Sequence, residues 1–588
     1  MKNLKGYMIF HLNLGFSSIE EDSRLDTIKS CYYPLLNLIE KSKHPIGIEL
    51  TGWTLKEVNK LDNAWIKKFK TLLISGKCEL IGSGYSQIIG PLVPYSVNKW
   101  NQKLGIDTYF QILGIRPELV LVNEMAYSTS LVNLYKEFGY KGLIMDRDNV
   151  KLSLDSEKLP SHAKGVGNQE IPILWSDTTL FQKMQYYAYG DISINDYLDY
   201  LNKRANEGDS LFPIYCNDAE VFDYRPGRFK EERPTHPDGE WARIEKLLSA
   251  LSSKINMEFV KPSDALKNSK KNKKILGALN SASHPIPVKK QAKYNISRWA
   301  VTGRNDLWLN TMCYRIEKEL TILKNNDSKE WKKLCYLWSS DFRTHITKKR
   351  WDKVNNKMSE LLKKYGKSSI LADDIFINET KKNLKSFTGK NEDIEISFSE
   401  DKIYLNIVTK NLKLILNLRR GLAIKNLAFS SHNFEECIGT LSHGYFSSIS
   451  LGADFYSGGT VIELPTERTR LTDLEKVKPM IYEKSNGDVQ ICTEIKTSLG
   501  VITKSIEVSA HDEKISLNYG FPDWPELIGS FRLGIVTMLN EFAHEETKLS
   551  FSNGGMHYET MDFTGQINHV DSASFLTSSS GGIGATDG

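Results

Sequence analysis

Residues 211–229, LFPIYCNDAEVFDYRPGRF, show most directly how this chain folds. The segment begins as an apolar run typical of a buried β-strand and continues into two acids, Asp218 and Glu220. Residues 119–128, LVLVNEMAYS, repeat this order and place Glu124 after their apolar run. Acids in this position gather at one end of a strand bundle, where cleavage of a glycosidic bond needs two carboxyl groups. Glu124 and Asp218 are therefore the candidate catalytic pair.

The region from residue 1 to residue 268 alternates short apolar runs with longer amphipathic stretches. This alternation predicts a parallel β/α architecture, because each helix returns the chain to the start of the next strand. The runs that qualify as strands are GYMIFHLN, IGIELTGW, CELIGSGY, LVLVNE, GLIMD, LFPIYCNDAE and INMEFVKP. A further candidate, IPILWSD at 171–177, fits an insertion. Residues 1–268 are therefore predicted to form a β/α-barrel catalytic domain.

Polar side chains close these apolar runs. In a closed β/α barrel the strand ends converge on one face, which is where active sites of such barrels lie. The polar and aromatic groups in this position are His11, Asn13, Glu49, Trp53, Tyr85, Glu124, Asp146, Asp218 and Glu220. We expect them to surround one cleft.

The pattern of the chain changes twice after the barrel. Residues 269–388 carry long helical patterns rich in Lys, Glu and Leu, which predict a helical subdomain that completes the cleft. Residues 389–575 carry alternating runs broken by Gly, Asn and Asp, which are typical of an antiparallel β-sandwich. Residues 576–588 are small and polar, and a disordered tail is expected there.

Composition excludes several classes of function. A net charge of +5 on 149 charged residues is small, so no nucleic-acid partner is predicted. The seven cysteines are scattered and form no C-x-x-C pair, which indicates buried free thiols in a reducing compartment and no zinc site. The chain has no apolar run of the roughly 18 to 20 residues that a membrane span requires and no signal peptide, so we expect a cytoplasmic protein. No cofactor is predicted, and the oligomeric state stays open, a homo-oligomer included.

Several segments carry a resemblance when they are taken in order. They are FHLNLGF (10–16), GSGYSQIIG (82–90), LVLVNEMAYS (119–128), NDAEVFDYRPGRF (217–229), RWAVTGRNDLWLN (298–310) and LWSSDFRTHI (337–346). This series resembles glycoside hydrolase family 57, in the manner of its 4-α-glucanotransferase and α-amylase-like members. The chain looks like a divergent member, because some positions depart from the pattern of that family.

The first two segments depart most. In the family a first strand ends in His-Gln-Pro, whereas this chain keeps His11 and carries Leu12 and Asn13 in the next positions. The second segment keeps Tyr85 but has Gln87 where an acid is usual. Both segments shape sugar subsites in such enzymes, so the resemblance implies a related but unusual glycan.

The next two segments carry the chemistry. The third keeps Glu124 at the position of the nucleophile but has Leu121 where a Trp is usual. The fourth is similar to an Asp-Gly-Glu-x-Phe-Gly stretch, and it places Asp218 at the position of the general acid/base, followed by Glu220 and Phe222. The resemblance therefore implies a retaining mechanism with Glu124 as nucleophile and Asp218 as acid/base.

The resemblance also implies the architecture and the remaining contacts. The expected fold is α/β, with an incomplete seven-stranded β/α barrel, a helical subdomain and a C-terminal antiparallel β-sandwich. The residues expected to bind an oligosaccharide or polysaccharide substrate are His11, Asn13, Trp53, Tyr85, Gln87, Glu220, Trp299, Asp341 and His345. Trp53 and Trp299 are candidates for stacking on sugar rings, with core packing as the alternative.

Two other functions stay open at this stage. The same fold could serve as a non-catalytic protein that binds or assembles glycans. Alternatively, His11, Asp146, Asp148 and His162 could form a metal site like that of a sugar deacetylase or an α-mannosidase-like zinc hydrolase. No tight His-x-x-x-His or Asp-Asp pair supports such a site among these residues, so no metal ligand is predicted.

Overall fold

The structure is a computed structural model, and it describes residues 4–42, 44–147, 159–224, 239–269, 299, 304–343, 346–365, 385–387, 389–390, 393–521, 530–539 and 548–562. The strands of its first sheet are β1 (Leu4–Leu12), β2 (Ile46–Leu50), β3 (Cys78–Gly82), β4 (Leu119–Leu121), β5 (Gly142–Asp146), β6 (His162–Lys164), β7 (Glu170–Ser176), β8 (Leu211–Asp218) and β9 (Met257–Phe259).

The first sheet is an incomplete β/α barrel. Its strands are hydrogen-bonded in the order β6-β7-β5-β4-β3-β2-β1-β8, and β9 pairs with the start of β1. Among the described residues, the seven strands from β7 to β8 run parallel, and β6 is antiparallel to β7. The two ends of this series, β7 and β8, lie against each other, and the hydroxyl of Tyr7 on β1 donates to the carbonyl of Trp175 on β7. The predicted barrel is confirmed.

One strand assignment was wrong. Residues 170–176 form β7, a barrel strand, although the sequence suggested an insertion there. Ile171 and Ile173 pack on the outer face and Leu174 on the inner face, so the strand is buried on both sides as parallel strands are. The segment from 255 to 262 contributes only the three residues of β9, which pair with Leu4–Gly6.

Alternation along the strands separates the two faces of the barrel. Met8, Phe10 and Leu12 of β1 pack outward against helices, whereas Tyr7 and Ile9 point into the barrel. The interior is filled by Tyr7, Ile9, Ile81, Leu119, Leu121, Ile144, Leu174 and Cys216. The next inward position on β1 is His11, and the next on β8 is Asp218, so both reach the open end of the barrel.

The helices of the barrel region lie between its strands. They are α1 (Arg24–Thr27), α2 (Tyr33–Lys41), α3 (Gly52–Leu61), α4 (Asn63–Ile74), α5 (Tyr95–Leu113), α6 (Thr129–Glu137), α7 (Thr178–Tyr189), α8 (Ile194–Glu207), α9 (Gly239–Lys254) and α10 (Pro262–Ser269). A π-helical segment, Ile28–Tyr32, joins α1 to α2. Local sequence sets their ends: α8 begins with a capping box of Ser193 and Asp196 and ends at Gly208, whose φ is +119°.

The predicted helical region contains α11 (Asp306–Ile322), α12 (Ser328–Leu337) and α13 (Lys348–Tyr365). These helices share a core with α5 of the barrel, in which Leu309, Leu334 and Met358 pack with Val97 and Leu104. A 3₁₀ turn, Ser340–Phe342, follows α12. The helical region is therefore packed on the side of the barrel, and this turn reaches its open end.

The C-terminal region contains antiparallel sheets. Its strands are β10 (Lys385–Ser386), β11 (Ile394–Phe398), β12 (Tyr404–Thr409), β13 (Leu412–Asn417), β14 (Ala423–Phe429), β15 (Glu436–Gly439), β16 (Thr460–Leu464), β17 (Thr469–Thr472), β18 (Met480–Glu483), β19 (Val489–Thr497), β20 (Gly500–Val508), β21 (Ile515–Gly520), β22 (Ser530–Leu533), β23 (Lys548–Phe551) and β24 (Glu559–Asp562). The sheet β10-β18-β19-β20-β21 and the sheet β11-β12-β13-β14-β15 share one apolar core. The predicted sandwich is confirmed.

The remaining expectations stand as follows. All seven cysteines lie in described segments and are buried without a disulfide, as predicted. No helix of the described residues is both long enough and apolar enough to cross a bilayer. The predicted boundaries at 268, 388 and 575 stay predictions, and residues 576–588 lie outside the described part of the chain.

Candidate active site

His11 lies at the centre of the open end of the barrel. The register of β1 places it beside Glu49 on β2 and beside Asp218 on β8. Side chains at paired positions of parallel strands project to the same face. His11 Nδ1 contacts Glu49 Oε2 directly, and His11 Nε2 lies 4.0 Å from Asp218 Oδ1. The sheet register alone therefore brings the imidazole between two carboxyl groups.

Burial decides the charge state of this ring. His11 is 7% exposed, and burial lowers its pKa to about 4, against the opposing charges of Glu124 and Asp341. The ring is therefore neutral at pH 7, with one N–H. Glu49 accepts that N–H from Nδ1, which leaves Nε2 as an acceptor for the side-chain amide of Gln87 at 2.7 Å.

Asn13 extends the same chain of hydrogen bonds. Its Nδ2 donates to Gln87 Oε1 at 3.0 Å and to Asp341 Oδ1 at 2.8 Å, while its Oδ1 accepts from Gly15 N at 2.8 Å. The amide of Gln87 thus accepts from Asn13 and donates to His11. These residues form one polar network, in which the contacts between side chains fix the orientation of each amide.

Asp341 enters this network from the helical region. The hydroxyl of Ser339 donates to Asp341 Oδ2 at 2.7 Å, and Ser340 N donates to the carbonyl of Gln87 at 2.7 Å. The turn is therefore hydrogen-bonded to the loop after β3 through both backbone and side chains. The helical region therefore reaches the open end of the barrel, and its predicted role in completing the cleft stays a prediction.

Glu124 follows β4 in an unusual backbone conformation. Its φ is +52° and that of Met125 is +58°, so two successive residues with side chains occupy the left-handed region. Such a conformation costs about 1 to 3 kcal/mol per residue and is common at functional sites. The hydroxyl of Ser340 lies 3.3 Å from Glu124 Oε1 and donates to it. The carboxylate of Glu124 is partly exposed at the same barrel end as His11.

Asp218 and Glu220 have opposite surroundings. The side chain of Asp218 is 42% exposed, whereas Glu220 is 3% exposed and accepts hydrogen bonds from Asn13 N at 2.7 Å and Tyr32 OH at 2.5 Å. Burial raises the pKa of Glu220 to about 7, and the charge of Asp218 acts in the same direction. A general acid at Asp218 would need to hold a proton near neutral pH, and burial is one cause that raises the pKa of a carboxyl group. The structure instead places the buried carboxyl at Glu220.

The aromatic candidates occupy other surroundings. Trp53 is half-buried, with the guanidinium of Arg24 at 4.9 Å from one ring and the ring of Tyr336 at 5.3 Å. Tyr85 is buried in the core shared with the helical region, and Trp299 is buried against Ile89 and Ala126. Their roles as sugar-binding residues stay predictions. His345 lies outside the described residues.

Some site residues had no assigned role in the sequence. Glu49 was visible as an acid at a strand end, and its pairing position with His11 gives it its contact. Tyr32 lies on the π-helical segment and Ser340 on the turn after α12, and neither has a sequence signal that points to its carboxylate partner. Only the packing of helices on the barrel brings these hydroxyls to Glu220 and Glu124.

Asp146 and His162, two residues of the alternative metal site, have other side-chain partners. The carboxylate of Asp146 accepts from Ser176 and Thr178, each at 2.9 Å, and His162 lies on the edge strand β6 next to Ser161. Asp148 lies outside the described residues. Within the described part of the chain, no three His, Cys, Asp or Glu side chains are grouped so that they could hold a metal ion.

The N-terminal part of the chain is similar to known proteins. Residues 5–278 match the family model of glycosyl hydrolase family 57. An α-amylase of Pyrococcus horikoshii is 22% identical over 203 residues, which are 34% of this chain. The match spans only 31% of that amylase.

Two solved structures are similar over most of the chain. An α-mannosidase from Enterococcus faecalis V583 has a TM-score of 0.56 at 10% identity, over 96% of this chain and 78% of its own. The 4-α-glucanotransferase of Thermococcus litoralis has a TM-score of 0.49 at 12% identity, over 86% and 85% of the two chains. The similarity to the mannosidase shows that the fold is shared.

Replacing Gln87 with Glu tests the hydrogen-bond network. The substitution removes the N–H that Gln87 donates to His11 Nε2 and introduces a carboxylate, which favours the imidazolium form. We expect the pKa of His11 to rise from about 4 by about 1 to 3 pH units. NMR titration of labelled histidines measures it, with His11→Gln to assign the signal. Gln169→Glu, at an exposed position, is the control. An unchanged titration would rule out the contact.

Replacing Glu220 with Gln tests its protonation. A carboxyl whose pKa is raised from 4.5 to about 7 stabilises the fold below pH 4.5, and this contribution of about 3 kcal/mol is lost as the pH rises through 7. Gln keeps both acceptor contacts and does not ionise. The stability of Glu220→Gln relative to the natural protein should therefore increase between pH 4.5 and pH 7.5.

Denaturant unfolding of the barrel at both pH values measures this difference. The exposed Glu258→Gln is the matched control, and its difference from the natural protein should stay constant. A constant difference for Glu220→Gln as well would mean that Glu220 is ionised throughout this range.

Proposed function

We propose that this protein, whose residues 5–278 match the family model of glycosyl hydrolase family 57, is a retaining glycoside hydrolase or transglycosylase that acts on an α-linked glucan or a related glycan. The observation that carries the proposal is the placement of Glu124 and Asp218 around one neutral imidazole. His11 Nε2 lies 4.0 Å from Asp218 Oδ1. Burial lowers the pKa of His11, and the negative charge of Glu124 opposes this effect. Two carboxyl groups at one barrel end are what glycosidic cleavage requires.

Glu124 is the proposed nucleophile. In a retaining reaction this carboxylate attacks the anomeric carbon and forms a glycosyl-enzyme intermediate. Its left-handed backbone departs from the strand conformation, and the hydroxyl of Ser340 donates to its carboxylate from the turn after α12. This hydrogen bond restricts the orientation of the attacking carboxylate.

Asp218 is the proposed general acid/base. Its side chain is accessible to a substrate, and the hydroxyl of Tyr215 donates to its backbone carbonyl at 2.7 Å, which fixes the end of β8. Asp218 gives its proton to the leaving oxygen and then removes one from the incoming water or sugar hydroxyl. Glu220 lies two residues further along the chain, and the charge of Asp218 raises the pKa of Glu220. Gain or loss of a proton by one carboxyl therefore changes the proton affinity of the other.

The residues that depart from the family pattern support an altered glycan preference. Asn13 and Gln87 are bonded to each other, and through Asp341 they connect the barrel to the helical region. These two amide side chains occupy the positions at which the family pattern has Pro and an acid. A sugar in this site therefore meets a different set of donors and acceptors, which is why the proposal includes glycans related to α-glucans.

Substitution of the two acids tests the mechanism. Glu124→Gln and Asp218→Asn should each lower kcat by about 10²- to 10⁴-fold while the thermal midpoint of unfolding stays close to that of the natural protein. With a glycosyl fluoride, kcat/KM of Asp218→Asn should recover, because fluoride leaves without a proton and kcat/KM reports the first step, whereas kcat/KM of Glu124→Gln should not recover. Glu137→Gln and Asp209→Asn, at partly exposed positions, are matched controls. Normal turnover in either active-site variant would contradict the assignment and favour a non-catalytic glycan-binding role.

Product analysis tests the stereochemistry and the reaction type. Incubation with malto-oligosaccharides should release products whose anomeric configuration is initially α, which ¹H NMR detects before mutarotation. Products both longer and shorter than the substrate would indicate transfer, and release of glucose alone would indicate hydrolysis. An initial β anomer would overturn the retaining mechanism. Absence of reaction with every α-glucan would leave other glycans as the substrate class.

A further inference from the structure

The hairpin of β23 and β24 lies on the barrel, although it comes from the C-terminal region. The turn between its strands, residues 552–558, contacts the starts of helices α5 and α6. Asn98 Nδ2 donates to Gly554 O at 2.7 Å, Ser128 Oγ to Asn553 O at 2.7 Å, and Ser130 Oγ to His557 O at 2.9 Å. Two of these contacts are made by the first residues of α6, directly after the loop that carries Glu124.

The start of α6 depends on this hairpin. The first backbone N–H groups of a helix have no partner within the helix, and the N-cap side chain ordinarily accepts one of them. The N-cap residue Ser128 makes no such bond, and its hydroxyl donates to the hairpin instead. Glu559 of β24 takes the acceptor role, because its Oε1 accepts from Ser130 N at 2.9 Å. Its carboxylate also has the favourable charge for a helix N-terminus.

The contact is close enough to require glycine. A Cβ on Gly555 would lie 2.1 Å from the Cβ of Ser130, and a Cβ on Gly554 would lie 2.1 Å from the carbonyl oxygen of Gly90. Gly554 also has a φ of +85°, which favours glycine. Glu559 is 3% exposed, so its bond to Ser130 is protected from water. The backbone of the turn therefore packs directly against Gly90 and Ser130 of the barrel region.

The loop that this hairpin holds is short and strained. It runs from the end of β4 to Thr129 and contains the two left-handed residues Glu124 and Met125. On one side Asn123 Nδ2 donates to Ser83 O at 3.0 Å. On the other side the loop continues into α6, whose first turn is bonded to the hairpin. A strained conformation persists only where both ends are fixed by their surroundings.

We propose that the hairpin 548–562 is a positioning element of the active site, in which Glu559 caps α6 and thereby holds Glu124 in the orientation for attack. This inference rests on the proposed function for the role of Glu124. Glu559 acts through the loop, so it is a positioning residue. The C-terminal region is then required for turnover in addition to its own folding.

Substitution of Glu559 in the full chain tests the proposal. Glu559→Ala should lower kcat on the substrate by about 10- to 100-fold with KM changed less than about threefold, since small displacements of a reacting group reduce rates to this extent. Glu559→Gln keeps an acceptor for Ser130 N and should restore kcat to within about threefold. Ser193→Ala removes the cap of α8, which lies on another part of the barrel, and should leave kcat unchanged.

Hydrogen exchange supplies a readout that does not need turnover. Amides of residues 129–133 should exchange faster in Glu559→Ala than in Glu559→Gln. Gly555→Ala should reproduce the Glu559→Ala pattern by displacing the turn, whereas Gly444→Ala, which meets nothing within 4 Å, should not. The comparison of Gly555→Ala with Gly444→Ala therefore still tests the proposal if Glu559→Ala does not fold.

The outcomes separate this inference from the proposed function. Loss of turnover in Glu124→Gln together with normal kcat in Glu559→Ala and Gly555→Ala would overturn the positioning role alone. Unchanged exchange at 129–133 in both hairpin variants would also overturn it. Normal turnover in Glu124→Gln would overturn the proposed mechanism, while faster exchange in the hairpin variants would still show that the hairpin holds α6.

Discussion

The buried ring of His11, held between Glu49 and Asp218, is the contact from which the arrangement of the site follows. β1 pairs with β2 on one side and with β8 on the other, so a side chain at its end meets groups from both neighbours. Burial keeps the ring neutral, and a neutral ring has one donor and one acceptor. Glu49 accepts from the N–H of the ring, and the other ring nitrogen accepts from the amide of Gln87. Gln87 in turn accepts from Asn13, which also donates to Asp341.

The site is assembled from three parts of the chain that are distant in sequence. The barrel supplies the two candidate catalytic acids. The turn after α12 supplies Ser340 and Asp341, and these bind Glu124 and Asn13 respectively. The C-terminal hairpin supplies Glu559, which binds the first turn of the helix after Glu124. The left-handed backbone at Glu124 is compatible with this arrangement because each part of the loop is hydrogen-bonded to a different partner.

Much of the fold was predictable because it follows from local periodicity. The strands of the barrel, the helices at 306–322, 328–337 and 348–365, and the hairpins of the sandwich agree with runs that the sequence marks by alternation or helical spacing. The strand at 170–176 was assigned to an insertion, because periodicity does not show which runs join a sheet. Its burial against β5 and against the barrel interior decides that membership. The same limit applies to Trp299, whose burial depends on how 299 packs against Ile89.

The sequence by itself determined which chemical groups stand at the strand ends: His11, Glu49, Glu124, Asp218 and Glu220 follow apolar runs, and the alternation of a strand directs them to one face. Tertiary structure alone decided how these groups are used. The buried carboxyl is Glu220 and the exposed one is Asp218, because Tyr32 and Asn13 cover the former. Ser340, which donates to Glu124, lies 216 positions further along the chain, and Glu559, which accepts from Ser130 N, lies 429 positions beyond Ser130. Contacts at such separation depend on tertiary packing, which leaves no periodic signal in the chain.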